Sequence, residues 1–147
     1  MLMHLTDMET TFYKYQGAGN DFVIIDDRNE RFDRLNNNLV NKMCVRRFGV
    51  GADGLMLLRN KEGYDFEMIY YNSDGKESTL CGNGARCIVA FAKSLGIIGD
   101  NCYFLAVDGP HKADLIQTDE GEWVSLKMGD ISEVEKGPGY CFMDTGS

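Results

Sequence analysis

Cys81 stands at the start of a glycine-rich stretch, Cys81-Gly82-Asn83-Gly84-Ala85-Arg86-Cys87, which leads directly into an apolar segment. Backbone N–H groups in the first turn of a helix have no intrahelical partner, so such an end binds anions and favours the thiolate of a nearby cysteine. Gly82 and Gly84 keep side chains away from the predicted helix start, and Asn83 adds an amide. These residues predict a site for a thiolate and a carboxylate. A cysteine that merely fills a small apolar space is the open alternative.

The chain offers Cys81 no obvious base and no companion metal ligand. His4 and His111 are the two histidines; His4 lies near the N-terminus, and His111 follows two turn residues and is predicted to be solvated. Cys81 and Cys87 are too far apart in sequence for a C-x-x-C zinc site. The sequence therefore predicts no metal site, and a cysteine hydrolase lacks its histidine. Proton transfer fits these residues better than acyl transfer.

Two further glycine-rich loops precede this stretch. Gly49, Gly51 and Gly54 fit the G-x-G-x-x-G pattern of dinucleotide sites, but that pattern needs a strand before it and a helix after it. Here the predicted order is helix and then strand, which argues against a nucleotide site. The loop Gly17-Ala18-Gly19-Asn20-Asp21 joins two predicted strands, and a hairpin-like turn is its simplest role. Polar side chains presented into a cleft are the alternative for its last two residues.

Two helices and a series of strands must position these loops. One helix is predicted from Cys81 to Gly96, and its apolar side chains cover every side, which is typical of a core helix. The other is predicted to begin at the caps offered by residues 36–38 and to continue through Phe48 until Gly49 ends it. Aromatic and β-branched runs predict strands at 12–16, 22–26, 55–58, 64–71, 103–107, 112–117, 122–128 and 140–144.

Short strands joined by hairpin-like turns favour antiparallel pairing. The predicted fold is therefore α+β, with a curved, mainly antiparallel, barrel-like sheet wrapped around the central apolar helix. At 147 residues the chain has the length of one domain. Residues 1–10 are predicted to be a disordered extension and residues 11–147 the folded domain. The chain stops directly after the last predicted strand, which is typical of a cut within a longer protein.

Composition argues against several classes of partner. The formal net charge is −8 and the basic residues form no stripe, which argues against nucleic acid. No apolar run is long enough to cross a membrane, and residues 1–11 lack the basic start of a secretory signal. Five cysteines without regular spacing predict reduced thiols in a cytoplasmic protein rather than a disulfide framework.

Four motifs give the chain a resemblance to a known family. The motifs are Gly17-Ala18-Gly19-Asn20-Asp21-Phe22, Gly49-Val50-Gly51-Ala52-Asp53, Tyr71-Asn72-Ser73-Asp74-Gly75 and the stretch from Cys81 to Cys87. Their order and spacing resemble those of diaminopimelate epimerase from residue 12 to the last residue, and the first and last motifs are highly specific. Proline racemase-like and phenazine-biosynthesis-like proteins share the fold of the wider superfamily but not all four motifs.

The resemblance implies a cofactor-independent epimerase of lysine and peptidoglycan-precursor biosynthesis. Its small-molecule substrate is diaminopimelate, and two cysteines move the α-proton to interconvert the LL and meso forms. The family has two similar domains, each a curved sheet around a helix, with the substrate between them. By motif, Cys81 is one catalytic cysteine, Asn20 and Asn72 bind substrate, and Gly82 and Asn83 supply donors at the helix start.

The chain departs from the family in two respects. Gly54 stands where many members have glutamine, so that side-chain contact is predicted to be missing or replaced. The second domain and its catalytic cysteine have no counterpart, and Cys44, Cys102 and Cys141 lack a glycine-rich setting. The chain is therefore predicted to be the N-terminal domain of the enzyme, inactive alone, with the absent C-terminal domain as partner. A homodimer, and a non-catalytic or differently specific binding domain of the same superfamily, are the open alternatives.

Overall fold

The computed structural model describes residues 9–130 and 133–143. Most of the predicted extension at residues 1–10, and Asp144 in the last predicted strand, lie outside these residues. Within the described ranges the chain forms two helices, α1 (Asn37–Cys44) and α2 (Gly82–Ser94), and nine strands. The strands are β1 (Tyr13–Gly17), β2 (Asn20–Asp26), β3 (Gly54–Arg59), β4 (Phe66–Asn72), β5 (Asn101–Ala106), β6 (Gly109–Thr118), β7 (Gly121–Leu126), β8 (Glu135–Gly137) and β9 (Tyr140–Phe142). Neither helix of the described part is long and apolar enough to span a membrane.

The first seven strands form one sheet in which spatial order follows chain order. β2–β3 and β4–β5 pair in parallel, and the remaining neighbours pair antiparallel. β8 and β9 form a separate antiparallel pair. The mainly antiparallel sheet of the predicted α+β fold is thus confirmed. Within the described residues its edge strands, β1 and β7, do not pair with each other, so the sheet is a curved half-barrel rather than a closed one.

α2 lies within the curve of this sheet. No residue from Gly82 to Lys93 is exposed, and the helix contacts both edge strands as well as β2, β3 and β6. Phe91 is completely buried, and its ring packs against Tyr13 and Tyr15 of β1 with centroid separations of 4.7 and 5.7 Å. The enclosure that the all-round apolar pattern predicts is therefore present.

The strands in the middle of the sheet are buried on both faces. On β4, Phe66, Met68 and Tyr70 pack toward α2, as their alternation predicts, while Ile69 and Tyr71 belong to a second apolar cluster. That second cluster includes residues of α1 and covers the opposite face of β2, β3 and β4. A strand between two apolar clusters needs apolar residues at every position, which explains the fully buried run of β3.

α1 begins as predicted but ends earlier. The Asn36 side chain accepts a first-turn backbone N–H at 3.0 Å, so Asn36 is the N-cap. At the other end, the amides of Gly51 and Ala52 donate to the last two helical carbonyls at 2.9 and 3.0 Å. Because the returning loop satisfies these carbonyls, the helix stops at Cys44 rather than at the predicted Phe48.

Other differences from the predicted elements are small. α2 ends as predicted, since Gly96 has a φ of 70° and donates its N–H to a last-turn carbonyl at 2.9 Å. The strand predicted at 64–71 begins at Phe66 and extends to Asn72. β8 is a strand that the sequence does not predict, because its three residues, Glu-Lys-Gly, lack the apolar alternation on which such predictions rest.

Candidate functional site

A cleft of about 430 Å³ lies at the N-terminal end of α2. Four of the five predicted site residues, Asn72, Cys81, Gly82 and Asn83, line it. The fifth, Asn20, is not a lining residue but contacts Asn83 from β2. The other lining residues are Tyr70, Ser78, Thr79, Leu80 and Met128.

Cys81 is the N-cap residue of α2. Its carbonyl accepts the first helical hydrogen bond, from the Ala85 N–H at 2.7 Å, while its side chain caps nothing. The thiol is half-buried and lines the cleft. Because the first-turn amides have no intrahelical partner, this end of the cleft stabilises negative charge, on sulfur or on a bound carboxylate.

The two glycines of the first turn have different roles. A Cβ added at Gly82 would find its nearest neighbour at 3.7 Å, so this residue leaves the cleft open. A Cβ at Gly84 would lie 3.1 Å from the Met56 sulfur and 3.5 Å from the Phe22 ring. Gly84 is buried and allows α2 to approach the sheet closely, rather than clearing the helix start as the sequence predicts.

The β1–β2 hairpin packs directly on the first turn of α2. Its turn residues, Ala18 and Gly19, have φ values of 50° and 90°, the left-handed pair that a tight two-residue hairpin favours. A Cβ at Gly17 would lie 3.0 Å from the Cys87 sulfur and 3.1 Å from the Asn83 carbonyl oxygen. A larger residue would therefore push the hairpin away from the helix. The loop is both a hairpin turn and a part of the site.

A chain of hydrogen bonds fixes the amides at the helix start. Asn83 Nδ2 donates to Asn20 Oδ1 at 2.8 Å, and Asn20 Nδ2 donates to Asp53 Oδ2 at 3.0 Å. The Arg86 guanidinium donates to Asn83 Oδ1. Both ends of the Asn20 amide are therefore occupied by protein groups. Asn20 orients Asn83, and Asn83 stands at the cleft.

Charged side chains behind the amides complete this network. Arg46 donates to Asp53 at 3.0 Å and to Asp21 at 2.6 and 3.0 Å, and Lys14 donates to Asp21 at 2.8 Å. Hydrogen bonds from Arg46 and Lys14 hold the pKa of Asp21 well below its usual range. The Asn20 hydrogen bond lowers the pKa of Asp53 most, with smaller contributions from the Asp21 amide and Arg46. Asp21 thus faces cations rather than the cleft. Arg46 is not among the predicted site residues. The sequence places it inside α1, whereas the helix ends at Cys44 and leaves Arg46 in the loop that contacts Asp21 and Asp53.

Asn72 offers the cleft a free side-chain amide. It is the last residue of β4 and is exposed. Its backbone is engaged, since its N–H donates to the Lys76 carbonyl at 3.0 Å and its carbonyl accepts the Gly75 N–H at 2.9 Å. Its side chain has no hydrogen-bond partner among residues 9–130 and 133–143. The amide is therefore available to a ligand.

Tyr70 and Met128 are two of the five lining residues that the sequence does not predict. The Tyr70 ring covers Gly54: a Cβ added at residue 54 would lie 2.5 Å from a ring carbon. The ring therefore occupies the space that a side chain at position 54 would need. The alternation along β4 places Tyr70 on the α2 face, and this was the available signal. Met128 follows β7 and carries no such signal.

His111 lies away from its predicted place on a solvated turn. Gly109 and Pro110 belong to β6, so His111 is a strand residue whose ring stacks on Phe104 at 5.5 Å between centroids. Its side chain is 10% exposed and contacts Asp108 Oδ1 at 3.0 Å. It lines a neighbouring cleft rather than the one that contains Cys81.

The cysteines are all free thiols, as the sequence predicts, and they differ in access. Cys44, Cys87 and Cys102 are buried, and Cys141 is exposed. Burial raises the pKa of Cys44, that of Cys87 to about 11 and that of Cys102 to about 12. These three thiols remain protonated and inaccessible at neutral pH.

Sequence comparisons place the chain among known proteins. The family described as "Diaminopimelate epimerase" matches residues 12–134. A diaminopimelate epimerase of Flavobacterium psychrophilum is 53% identical over 92% of this chain and 52% of its own length. Those of Chlorobaculum tepidum and Aquifex aeolicus are 44% and 39% identical, over 89% and 85% of this chain and 52% and 47% of their own lengths. The chain spans about half the length of these curated relatives.

Solved structures show the same fold at low sequence identity. A phenazine biosynthesis protein of the PhzF family from Bacillus anthracis has a TM-score of 0.69 at 16% identity, over 87% of this chain and 43% of that one. A hydroxyproline epimerase from Agrobacterium vitis has a TM-score of 0.53 at 14% identity, over 78% and 41%. The solved structures show the fold, whereas the sequence matches also show the family: the chain belongs to the diaminopimelate epimerase family.

Proposed function

We propose that this chain supplies one half of a diaminopimelate epimerase active site and is the N-terminal domain of that enzyme, acting in the cytoplasm. The observation that carries the proposal is the cleft at the start of α2, where Cys81 lies beside the first-turn backbone amides and the side chains of Asn72 and Asn83. Identities of 39–53% to curated epimerases support it. The span of about half their length supports a partner domain that supplies the other half.

The proposed chemistry is proton transfer at the α-carbon. The Cys81 thiolate takes the α-proton and becomes a thiol. The electron pair of the broken C–H bond stays on the α-carbon as a carbanion, which is delocalised into the substrate carboxylate. A thiol of the partner domain then returns a proton to the opposite face, which inverts the centre, and the reverse reaction exchanges the two roles. An amino-acid α-proton is a weak acid, so the site must exclude water for the fixed dipoles to act strongly.

Each remaining site residue has a proposed part in this step. The first-turn amides at Gly82 and Asn83 hold the carboxylate at the positive end of α2, where negative charge develops. Asn72 uses its free amide on a polar group of the substrate. Asn20 keeps the Asn83 amide in its orientation through the hydrogen bond at 2.8 Å. No metal or cofactor takes part in the proposed reaction.

The experiment that tests this proposal rebuilds the second half. This chain is mixed with the remaining half of the Flavobacterium psychrophilum relative, and LL-diaminopimelate is followed in deuterated buffer by NMR. We expect α-deuteration and conversion to the meso form, both lost in Cys81→Ser and both retained in Cys141→Ser, the matched control at an exposed thiol. An inactive mixture, under conditions in which the two halves of the relative are active together, would contradict the proposal.

A further inference from the structure

Tyr70 lies beside Cys81 in the cleft but has no part in the proposed reaction so far. Its ring is held rigidly: it covers Gly54, and it meets the Phe22 ring edge-on with 6.2 Å between centroids. The residue is 9% exposed, and it lines the cleft together with Asn72 and Cys81. A ring fixed in this way presents its hydroxyl at one place.

The Tyr70 hydroxyl has no hydrogen-bond partner in the described part of the chain. Every fully buried side-chain oxygen or nitrogen there has a partner. An unpartnered hydroxyl on a residue this deep must therefore reach the surface of the cleft. The neighbouring Tyr71 differs, because it lies on the other face of β4 and its hydroxyl donates to the Arg34 carbonyl at 3.2 Å.

The hydroxyl is a donor at physiological pH. Burial is the largest cause that raises the pKa of Tyr70 to about 12. A neutral phenol in this position can donate a hydrogen bond to a negatively charged oxygen. Hydrogen bonds to charged acceptors are stronger than those to neutral ones.

We infer that Tyr70 is a specificity-determining residue of the Cys81 cleft, whose hydroxyl donates a hydrogen bond to a carboxylate of the bound molecule. The inference rests on the proposed function for the identity of that molecule. The geometry that carries it is the fixed ring over Gly54 and the open hydroxyl among the cleft residues.

Two alkylating reagents of nearly equal size, one anionic and one neutral, test this inference without turnover. Iodoacetate carries a carboxylate and iodoacetamide a neutral amide, and both alkylate cysteine. The rate of each at Cys81 is measured by peptide mass analysis, and the ratio of the two rates reports carboxylate recognition. We expect Tyr70→Phe to lower the iodoacetate-to-iodoacetamide ratio about tenfold, as for one hydrogen bond to a charged group. The iodoacetamide rate itself should change less than about twofold.

Tyr71→Phe is the matched control and should leave the ratio unchanged, because its hydroxyl faces away from the cleft. A ratio at Cys81 that Tyr70→Phe does not change would overturn the inference, and so would failure of either reagent to reach Cys81. Continued protection of buried Cys87 and Cys102 shows that a variant is folded. If Tyr70→Phe does not fold, the unsubstituted chain still decides, since equal ratios at Cys81 and exposed Cys141 overturn the inference.

These outcomes separate the two proposals. The carboxylate preference at Cys81 can be measured even if the chain never epimerises diaminopimelate, with or without a second half. Conversely, an active mixture whose Cys81 shows no such preference refutes the role of Tyr70 and leaves the proposed function standing.

Discussion

Among single residues, Asn20 helps to hold the side chain of Asn83 in its orientation at the cleft. Its amide is the link between Asn83 at the cleft and Asp53 in the loop before β3, and it uses one atom for each. Because an amide donates through nitrogen and accepts through oxygen, the two contacts can be made in one orientation only. Asn20 therefore orients Asn83; its amide also has a second N–H and a second oxygen lone pair, so direct contact with substrate stays a prediction.

Replacing Asn20 tests this link. We expect Asn20→Ala to lower the free energy of unfolding by about 1–2 kcal/mol at pH 7, because Asn83 and Asp53 both lose a partner. The pKa of Asp53 should rise toward its ordinary value, since the Asn20 hydrogen bond is the largest cause of its lowering. A lowered folded-state pKa stabilises the fold above the unfolded pKa of about 4, and that contribution is lost as pH falls further.

Urea melts between pH 3 and 7 measure this effect, and the difference between Asn20→Ala and the unsubstituted chain should shrink toward pH 3. Asn60→Ala is the matched control: exposed Asn60 follows the end of β3 opposite to Gly54, and the one side-chain hydrogen bond that the described residues give it goes to the Arg28 carbonyl at 3.1 Å. Equal losses in the two variants at every pH would show that Asn20 is not special.

The cysteines give a second prediction about single residues. At pH 7–8 we expect iodoacetamide to label Cys81 first, then Cys141, and the other three last. The first-turn amides of α2, which have no partner within the helix, stabilise negative charge beside Cys81, whereas Cys141 has exposure alone. Burial and raised pKa values protect Cys87 and Cys102. Time-resolved labelling with peptide mass analysis checks the order, and Cys81 reacting more slowly than Cys141 would contradict it.

Among the elements, α2 contributes residues both to the core and to the candidate site. Its middle is enclosed by the half-barrel, and its first turn forms one wall of the cleft. The β1–β2 hairpin lies against that first turn, with Gly17 next to the Asn83 carbonyl. A shift of α2 within the sheet would therefore also displace Cys81 and Asn83.

The enclosure of α2 is tested at Phe91. We expect Phe91→Ala to reduce the free energy of unfolding by about 3–5 kcal/mol, because it leaves a cavity between α2 and β1. Phe48→Ala is the matched control, since Phe48 is 92% exposed and its loss should change stability by less than about 0.5 kcal/mol. Denaturant melts measure both variants. A loss below about 1 kcal/mol for Phe91→Ala would mean that the helix is not enclosed.

At the scale of the whole molecule, the described residues form one wall of the cleft and leave its other side open to solvent. Cys81 is the only cysteine among the cleft residues of the described chain. Inversion of a carbon centre needs a base on one face and an acid on the other. One positioned thiol can therefore exchange a proton on one face at most.

The chain by itself is therefore expected not to epimerise diaminopimelate. We also expect α-proton exchange with deuterated buffer to stay near background, because water at an open helix start screens the dipoles on which the step relies. NMR of LL-diaminopimelate incubated with the chain alone measures both, with Cys81→Ser as the baseline. Production of the meso isomer by the chain alone would refute the half-site model, and two copies would then have to supply both thiols.

The sequence alone determined a large part of this protein. Alternation along β4 assigned Phe66, Met68 and Tyr70 to one face, the all-round apolar pattern identified α2 as a core helix, and Gly96 marked its end. The motif from Cys81 to Cys87 indicated the candidate site at the start of α2. These features are local: a period, a cap or a glycine needs only neighbouring residues to have its effect.

The tertiary structure alone decided which segments of the chain contact one another. α1 stops at Cys44 because a returning loop satisfies its carbonyls. Gly84 is needed for packing on Met56, and Asn20 is turned to Asn83, 63 residues away. Tyr70 enters the cleft because Gly54, on the adjacent strand, leaves room for its ring. None of these follows from a local pattern, since each depends on where the curved sheet brings a second segment of the chain.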